Sequence, residues 1–254
     1  MVDYVIYKHL KHRSQDGDPK ICLWNLSLID IGLLLFYIPT MNTLFLFDFD
    51  GVLADSLDIY AEVVTRCLER IGTPIVKSRE DYLALFDGNY YESMAARGVD
   101  LAAYGKAAME ILPGIDYNAM KPFPGLIPVL AALQKDHLLA VISSNGYRTI
   151  RTMLDRFGFA PYFREILGAD FRFSKKEKIA YALEKFAVPG ERAFYIGDTA
   201  GDILEARAAG VKSVAVTWGW HSRERLVAAR PDFLVDTPEG LLAIPLHPQG
   251  IHDQ

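Results

Sequence analysis

Four short runs of sequence, at 44–47, 138–142, 193–196 and 214–216, are apolar at every position. A strand with one wet face alternates polar and apolar residues, so an unbroken apolar run marks a strand buried on both faces. Weaker runs of the same kind lie at 165–167 and 233–235. Between them, apolar residues recur at helical spacing over 127–133, 149–157, 179–186, 203–209 and 224–229. Strands that alternate with helices predict an α/β protein with a Rossmann-like parallel sheet covered on both faces.

One interval breaks the alternation. From Val52 to about Lys121 no strand is evident, and the periodicity is helical over 57–71, 79–86, 91–97 and 101–112. Asp55-Ser56 offers N-cap chemistry to the first of these helices and Gly72 ends it. Pro122-Phe123-Pro124-Gly125 marks the return to the alternating pattern. The expected organisation is a core domain from 41–55 and 122–254, with a small helical cap domain from 56–121.

Residues 1–40 stand apart. The first nineteen are polar and without pattern, and Gly17 and Pro19 break any helix there. The apolar stretch 31–38 is far short of the roughly 20 residues that span a bilayer. No cleavage-like run of small residues follows it, which argues against a signal peptide. Residues 1–40 could be a weak membrane-surface segment, an accessory packing element or a stretch outside the working domain; Met41-Asn42-Thr43 directly precedes the first buried strand, which favours the last, an extension from an over-extended start. The expectation is a cytoplasmic protein without stable membrane insertion.

Composition narrows the partners. With 51% apolar and 23% charged residues the chain can bury a substantial core. A formal net charge of −5 gives no basic footprint, so nucleic acid is excluded as a partner. The same charge does nothing to attract anions, and any phosphate site must be built locally. Cys22 and Cys67 have neither metal-ligand spacing nor a disulfide framework, and read as reduced thiols.

The first buried run ends in Asp48-Phe49-Asp50-Gly51-Val52, and the run at 193–196 ends in Gly197-Asp198-Thr199-Ala200-Gly201-Asp202. Carboxylates converging at strand ends repel one another unless a cation neutralises them. Aspartates here could instead be turn formers or helix caps. That reading suits Asp55, but it does not explain Asp48, Asp50 and Asp198 as a set.

In these motifs the sequence resembles the haloacid dehalogenase (HAD) superfamily, within it the group with a helical cap after the first strand, and most nearly the phosphoglycolate phosphatase-like members. The likeness runs from about Met41 to Ile244. Asp48-Phe49-Asp50-Gly51-Val52 resembles the first motif and Gly197 to Asp202 the fourth. Ser144 with Asn145, at the end of Ala140-Val141-Ile142-Ser143, resembles the second. Lys175, in Ser174-Lys175-Lys176-Glu177-Lys178-Ile179, resembles the third, with Lys176 and Lys178 as competitors and Ser143 as the competitor of Ser144.

The resemblance implies a Mg²⁺-dependent phosphatase that hydrolyses a small phosphorylated metabolite through an aspartyl-phosphate. In it Asp48 is the nucleophile and Asp50 the acid/base. Ser144, Asn145 and Lys175 bind the phosphoryl group, with Ser144 and Lys175 also counted as catalytic. Mg²⁺ is held by Asp48, the carbonyl of Asp50 and Asp198, and Asp202 stands behind, orienting a metal-bound water or Lys175. It further implies a strand order 3-2-1-4-5, with Asp48 and Asp198 flanking the switch point where open parallel sheets bind ligands. From the helical insert, Asn89 and Tyr90 are candidates to face the crevice and Arg97 to pair with a substrate carboxylate; after the fifth strand, in Trp218-Gly219-Trp220-His221, His221 is a candidate for a peripheral contact.

Three neighbouring chemistries fit less well. A dehalogenase has no need of Asp50, and a phosphonate-cleaving enzyme needs a lysine from the cap that neither Lys77 nor Lys106 supplies. A phosphosugar mutase keeps every motif and stays the alternative, but it needs polyol ligands of which the insert has few. A binding protein on the same fold would have no use for an acid/base at Asp50.

Overall fold

The computed structural model describes residues 43–172 and 174–244. The chain enters through β1 (Leu44–Phe47) and a short strand β2 (Ala54–Asp55). It then passes through helices α1 (Leu57–Arg70), α2 (Arg79–Leu83), α3 (Tyr90–Ala96) and α4 (Leu101–Ile111), and returns by β3 (Lys121–Pro122). From there helix and strand alternate through α5 (Leu126–Leu133), β4 (Leu138–Ile142), α6 (Tyr147–Phe157), β5 (Glu165–Leu167) and α7 (Lys175–Phe186). The series closes with β6 (Ala193–Gly197), α8 (Ala200–Ala208), β7 (Lys212–Val216), α9 (Arg223–Ala228) and β8 (Phe233–Val235).

The main sheet has six strands in the order β5-β4-β1-β6-β7-β8, and every ladder in it is parallel. The first five follow the expected 3-2-1-4-5 order, and the sixth extends the edge beyond the fifth. β1 lies between β4 and β6, with Leu46 opposite Ala140 on one side and Tyr195 on the other. The chain leaves β1 toward one flank and later crosses to the other, which opens a crevice at the carboxyl ends of β1 and β6.

The apolar runs split by parity. Phe45 and Phe47 join one buried cluster, with Leu139, Val141, Phe194 and Ile196. Leu44 and Leu46 join another, with Ala140, Ile142, Ala193 and Tyr195. Side chains alternate across a strand, so a run apolar throughout fills a core on each face of the sheet. This rigid double core fixes where the strand ends, and the residues just after them, can stand.

Helix α1 buries Leu57, Tyr60, Val63, Val64, Cys67 and Leu68, a single stripe at helical spacing, and packs against α4. The structure corrects the sequence reading where the insert joins the sheet. β2 and β3 form an antiparallel pair, Ala54 opposite Pro122 and Asp55 opposite Lys121, where no strand was expected. Two residues are too few to show a period. Among the described residues no helix is long and apolar enough to cross a membrane. Cys67 is a buried free thiol, whereas Cys22 and the expectation for 1–40 lie outside the described residues.

Candidate active site

Asp48 directly follows β1, and its N–H donates to Ile196 O of β6 at 2.9 Å. The ladder thus runs one residue past the strand and fixes where the carboxylate emerges. Its Oδ1 accepts from Phe49 N at 2.7 Å and its Oδ2 from Lys175 Nζ at 2.6 Å. The chain then turns back, with Leu53 N and Ala54 N both donating to Phe49 O. Gly51 has φ +73°, and a Cβ there would overlap the Asp198 carboxylate, so glycine is required on two counts.

Asp50 is held at both oxygens. Oδ1 accepts from Ser56 Oγ at 2.7 Å and Oδ2 from Asn145 Nδ2 at 2.5 Å. This corrects the capping role expected of Ser56. It sits at the N-cap of α1, but its hydroxyl makes no capping bond and reaches Asp50 instead.

Asp198 follows β6. Trp220 N donates to its Oδ2 at 2.7 Å, while its Oδ1 is buried without any hydrogen-bond partner. Gly219 shares the second constraint on Gly51, because a Cβ on it would also overlap Asp198. Asp202 lies in the first turn of α8, where Thr199 and Asp202 form a reciprocal capping box. Its Oδ2 accepts from Thr199 Oγ1 at 2.6 Å and its Oδ1 from Lys175 Nζ at 2.5 Å. Lys175, the first residue of α7, therefore bridges Asp48 and Asp202 from a buried position.

The electrostatics follow from this crowding. Burial, with Asp202 and Asp50 nearby, pushes Asp48 up to about 7 despite the Lys175 ammonium. Burial pushes Asp50 up to about 6. Asp198 is driven well above the carboxylate range by burial and by Asp202 and Asp48. Asp202 goes the other way, because Lys175 and Thr199 together outweigh its burial. Lys175 is itself held well above the usual lysine range, the two aspartates outweighing burial.

At the end of β4 the two serines divide. Ser143 is fully buried, and its Oγ accepts from Asn145 N at 3.0 Å. Ser144 is partly exposed and faces the same cavity as Asp48, Asp50, Lys175 and Asp198. Of the three lysines at the start of α7, Lys176 is exposed and Lys175 enters the cavity. Lys178 is fully buried, donates to Ser143 O at 2.5 Å, and is pushed down to about 8 by burial and Lys175. Sequence reading names Lys178 only as a competitor for the place of Lys175. Its separation of three from Lys175, placing both on one helix face, was the available signal.

The helical insert reaches the cavity through Phe86, Gly88, Asn89 and Tyr90. Asn89 Oδ1 caps α3 by accepting from Tyr91 N and Glu92 N, and its Nδ2 donates to Glu205 Oε1 at 3.0 Å. Glu205, on α8, also accepts from Lys175 N at 3.2 Å and was not foreseen. Arg97 does not reach the site. It folds back onto Ser93 O and Ala84 O. His221 is buried, with Nδ1 accepting from Ala200 N at 3.0 Å and Nε2 donating to Leu83 O at 3.0 Å. It joins the start of α8 to the insert and does not line the cavity.

The site suits a hard divalent cation. One oxygen each from Asp48, Asp198 and Asp202 lie within 4.8 Å of one another. Asp198 Oδ1 has no donor, and the burial that raises its affinity for a proton would equally favour a metal ion. A donor set of oxygens alone, without cysteine or histidine, fits Mg²⁺ rather than Zn²⁺.

The chain belongs to the haloacid dehalogenase-like hydrolase family, whose profile matches residues 45–216. Similar proteins within that family include phosphatases. It is 31% identical over 202 residues to a phosphoglycolate phosphatase of Synechococcus elongatus, covering 78% of this chain and 94% of that one. It is 29% identical over 215 residues to a probable phosphatase of Dickeya dadantii, covering 78% of this chain and 90% of that one. The crystal structure of a predicted phosphatase from Clostridium acetobutylicum superposes with a TM-score of 0.67 at 25% identity, covering 79% of this chain and 96% of that one.

Proposed function

We propose that this hydrolase is a Mg²⁺-dependent phosphatase acting in the cytoplasm on a small phosphomonoester, with Asp48 as nucleophile. The observation that carries the reading is the convergence of Asp48, Asp50 and Asp198 on one cavity with Lys175, beside an Asp198 oxygen that has no donor. Asp48, Asp198 and the carbonyl of Asp50 would hold the metal ion, with Asp202 behind them holding Lys175. The bound cation would offset negative charge on the phosphoryl oxygens and the carboxylates.

Asp48 attacks phosphorus in line with the leaving oxygen, forming an aspartyl-phosphate as the bond to that oxygen breaks. Asp50 gives its proton to the departing alkoxide, and burial, which raises its pKa to about 6, favours the proton it needs. Water then attacks the acyl phosphate, Asp50 takes the water's proton, and Asp48 leaves as a carboxylate. A hydroxyl can both donate and accept, so Ser56 can hold Asp50 in either state. Lys175, Ser144 and Asn145 orient the phosphoryl group from the ends of α7 and β4.

We treat residues 56–121 as a cap that screens the crevice from water, and 41–55 with 122–254 as the core that carries the chemistry. The aromatic insert, with few polyol ligands, favours a hydrolase over a mutase. Inorganic phosphate release from a panel of phosphorylated metabolites tests the reading. Release should stop in Asp48→Asn and on chelation by EDTA, and return when Mg²⁺ is added back. Undiminished turnover by Asp48→Asn would overturn it.

A further inference from the structure

Next to the phosphoryl cavity lies a second chamber of about 130 Å³, and the two share Asp50, Ser144, Phe86, Tyr90 and Trp220. On the phosphatase reading, the group bonded to the ester oxygen must lie here, because Asp50 stands where the two spaces meet. The walls are aromatic, from Tyr60, Tyr82, Phe86, Tyr90, Tyr104 and Trp220, with aliphatic side chains of α1 and α4 between them. No lysine, arginine or histidine lines the chamber among the described residues.

The phenols supply no charge. Burial pushes Tyr60, Tyr82, Tyr90 and Tyr104 upward, so all four are neutral. Tyr90 and Tyr104 are bonded to each other, hydroxyl to hydroxyl, at 2.8 Å. In the walls Trp220 Nε1 is buried and makes no hydrogen bond, and the buried Tyr60 hydroxyl has only the Tyr117 hydroxyl as a neighbour. Both carry a proton to donate, and an indole N–H can do nothing else.

We infer that the chamber takes a phosphomonoester whose leaving group is uncharged, about one ring in size and apolar, with an oxygen able to accept from Tyr60 or Trp220. Size follows from volume, since an apolar protein cavity of roughly 150 Å³ accommodates benzene. Charge follows from the walls. A leaving group ending in a carboxylate would be buried without a cation, beside Asp50, and two neutral donors do not neutralise it. The inference rests on the phosphatase reading and deepens it. It sets this chain apart from its phosphoglycolate phosphatase relatives, whose named substrate carries a carboxylate.

The test compares 4-methoxyphenyl phosphate with phosphoglycolate on the full chain in the presence of Mg²⁺. The kcat/KM for the aryl ester should exceed that for phosphoglycolate at least about a hundredfold. Equal or higher kcat/KM for phosphoglycolate would overturn the inference and leave the phosphatase reading standing. Phosphate released from neither, nor from any other phosphomonoester, would remove the phosphatase reading and the inference with it. A binding measurement keeps the two separable. By calorimetry with Mg²⁺, phenylphosphonate should bind more tightly than phosphonoacetate, and the reverse order would overturn the inference whatever the turnover.

Discussion

The ammonium of Lys175 stands 2.6 Å from Oδ2 of Asp48, in a site where both side chains are buried. The same Nζ is 2.5 Å from Asp202 Oδ1, so a single cation offsets two carboxylates that would otherwise face one another unscreened. Replacing it as Lys175→Met leaves two buried acids without their partner. Breaking a buried ion pair from one side costs about 3–5 kcal/mol, less whatever Asp48 recovers by taking up a proton. A nucleophile that takes up a proton is lost to catalysis, so kcat should fall by about 10²–10³ or more. Denaturant unfolding and steady-state kinetics check the two effects, and a variant with normal kcat would show that Lys175 is not needed at the phosphoryl group.

Asp50 is pinned by Ser56 and Asn145, and its proposed work is to move one proton twice. Asp50→Asn keeps the shape and removes the proton transfer, so turnover of an alkyl phosphate should drop by about 10²–10⁴. p-Nitrophenolate departs without protonation, so its release in the first step should suffer much less. The variant should therefore give a burst of nitrophenolate followed by a slow steady state, as aspartyl-phosphate accumulates. Rapid-mixing kinetics showing equal slowing of both phases would count against the acid/base role.

The parallel sheet was legible because β1, β4, β6 and β7 are buried on both faces, and such strands read as short unbroken apolar runs set between stretches of helical periodicity. Asp48, Asp50 and Asp198 could be picked out because each follows such a run. The helix starts were less legible. α7 begins at Lys175 and α8 at Ala200, several residues before their apolar periodicity, because the first turn of each faces the cavity rather than the core. Ser56 misled for a related reason. A serine before a helix has the chemistry of a cap, and only the approach of Asp50 in space shows that its hydroxyl is used elsewhere. Glu205 and Gly219 were invisible as site residues, and Lys178 was visible only as a rival of Lys175, since what matters about each is a partner more than 20 residues distant in sequence: Asn89, Asp198 and Ser143, with separations of 116, 21 and 35.

Gly51 offers a test of the metal site that substitutes none of the ligands. A methyl group there would overlap the Asp198 carboxylate, and the backbone is in the left-handed region besides. Gly51→Ala should displace Asp198 and weaken Mg²⁺ binding at least about tenfold, and it should cost on the order of 1–3 kcal/mol of stability from the strained φ. Calorimetric titration with Mg²⁺ reads the first effect and urea unfolding the second. Unchanged Mg²⁺ affinity in a folded variant would mean that Asp198 is not where the ion binds.

His221 ties the insert to the sheet, and its effect should depend on pH in a direction the geometry fixes. Nδ1 accepts from Ala200 N, so the neutral ring carries its proton on Nε2 and donates it to Leu83 O. Burial lowers its pKa below the ordinary histidine value, with Arg225 acting in the same direction and the Leu83 carbonyl, Asp87 and Asp202 opposing. Protonation would set an Nδ1–H against the Ala200 N–H, two donors facing each other. A lowered folded pKa means that the unfolded chain binds the proton first. The stabilisation is therefore complete above about pH 6.5 and declines as pH falls through the folded value. His221→Ala leaves the Ala200 N–H and the Leu83 carbonyl unpaired, at about 1–3 kcal/mol for a buried polar group. The stability gap between the native protein and this variant should thus be widest near about pH 8 and narrow toward about pH 5. Urea unfolding at both values measures it, and a gap that stays constant or widens in acid would show that His221 does not bridge α8 and the insert as a neutral ring.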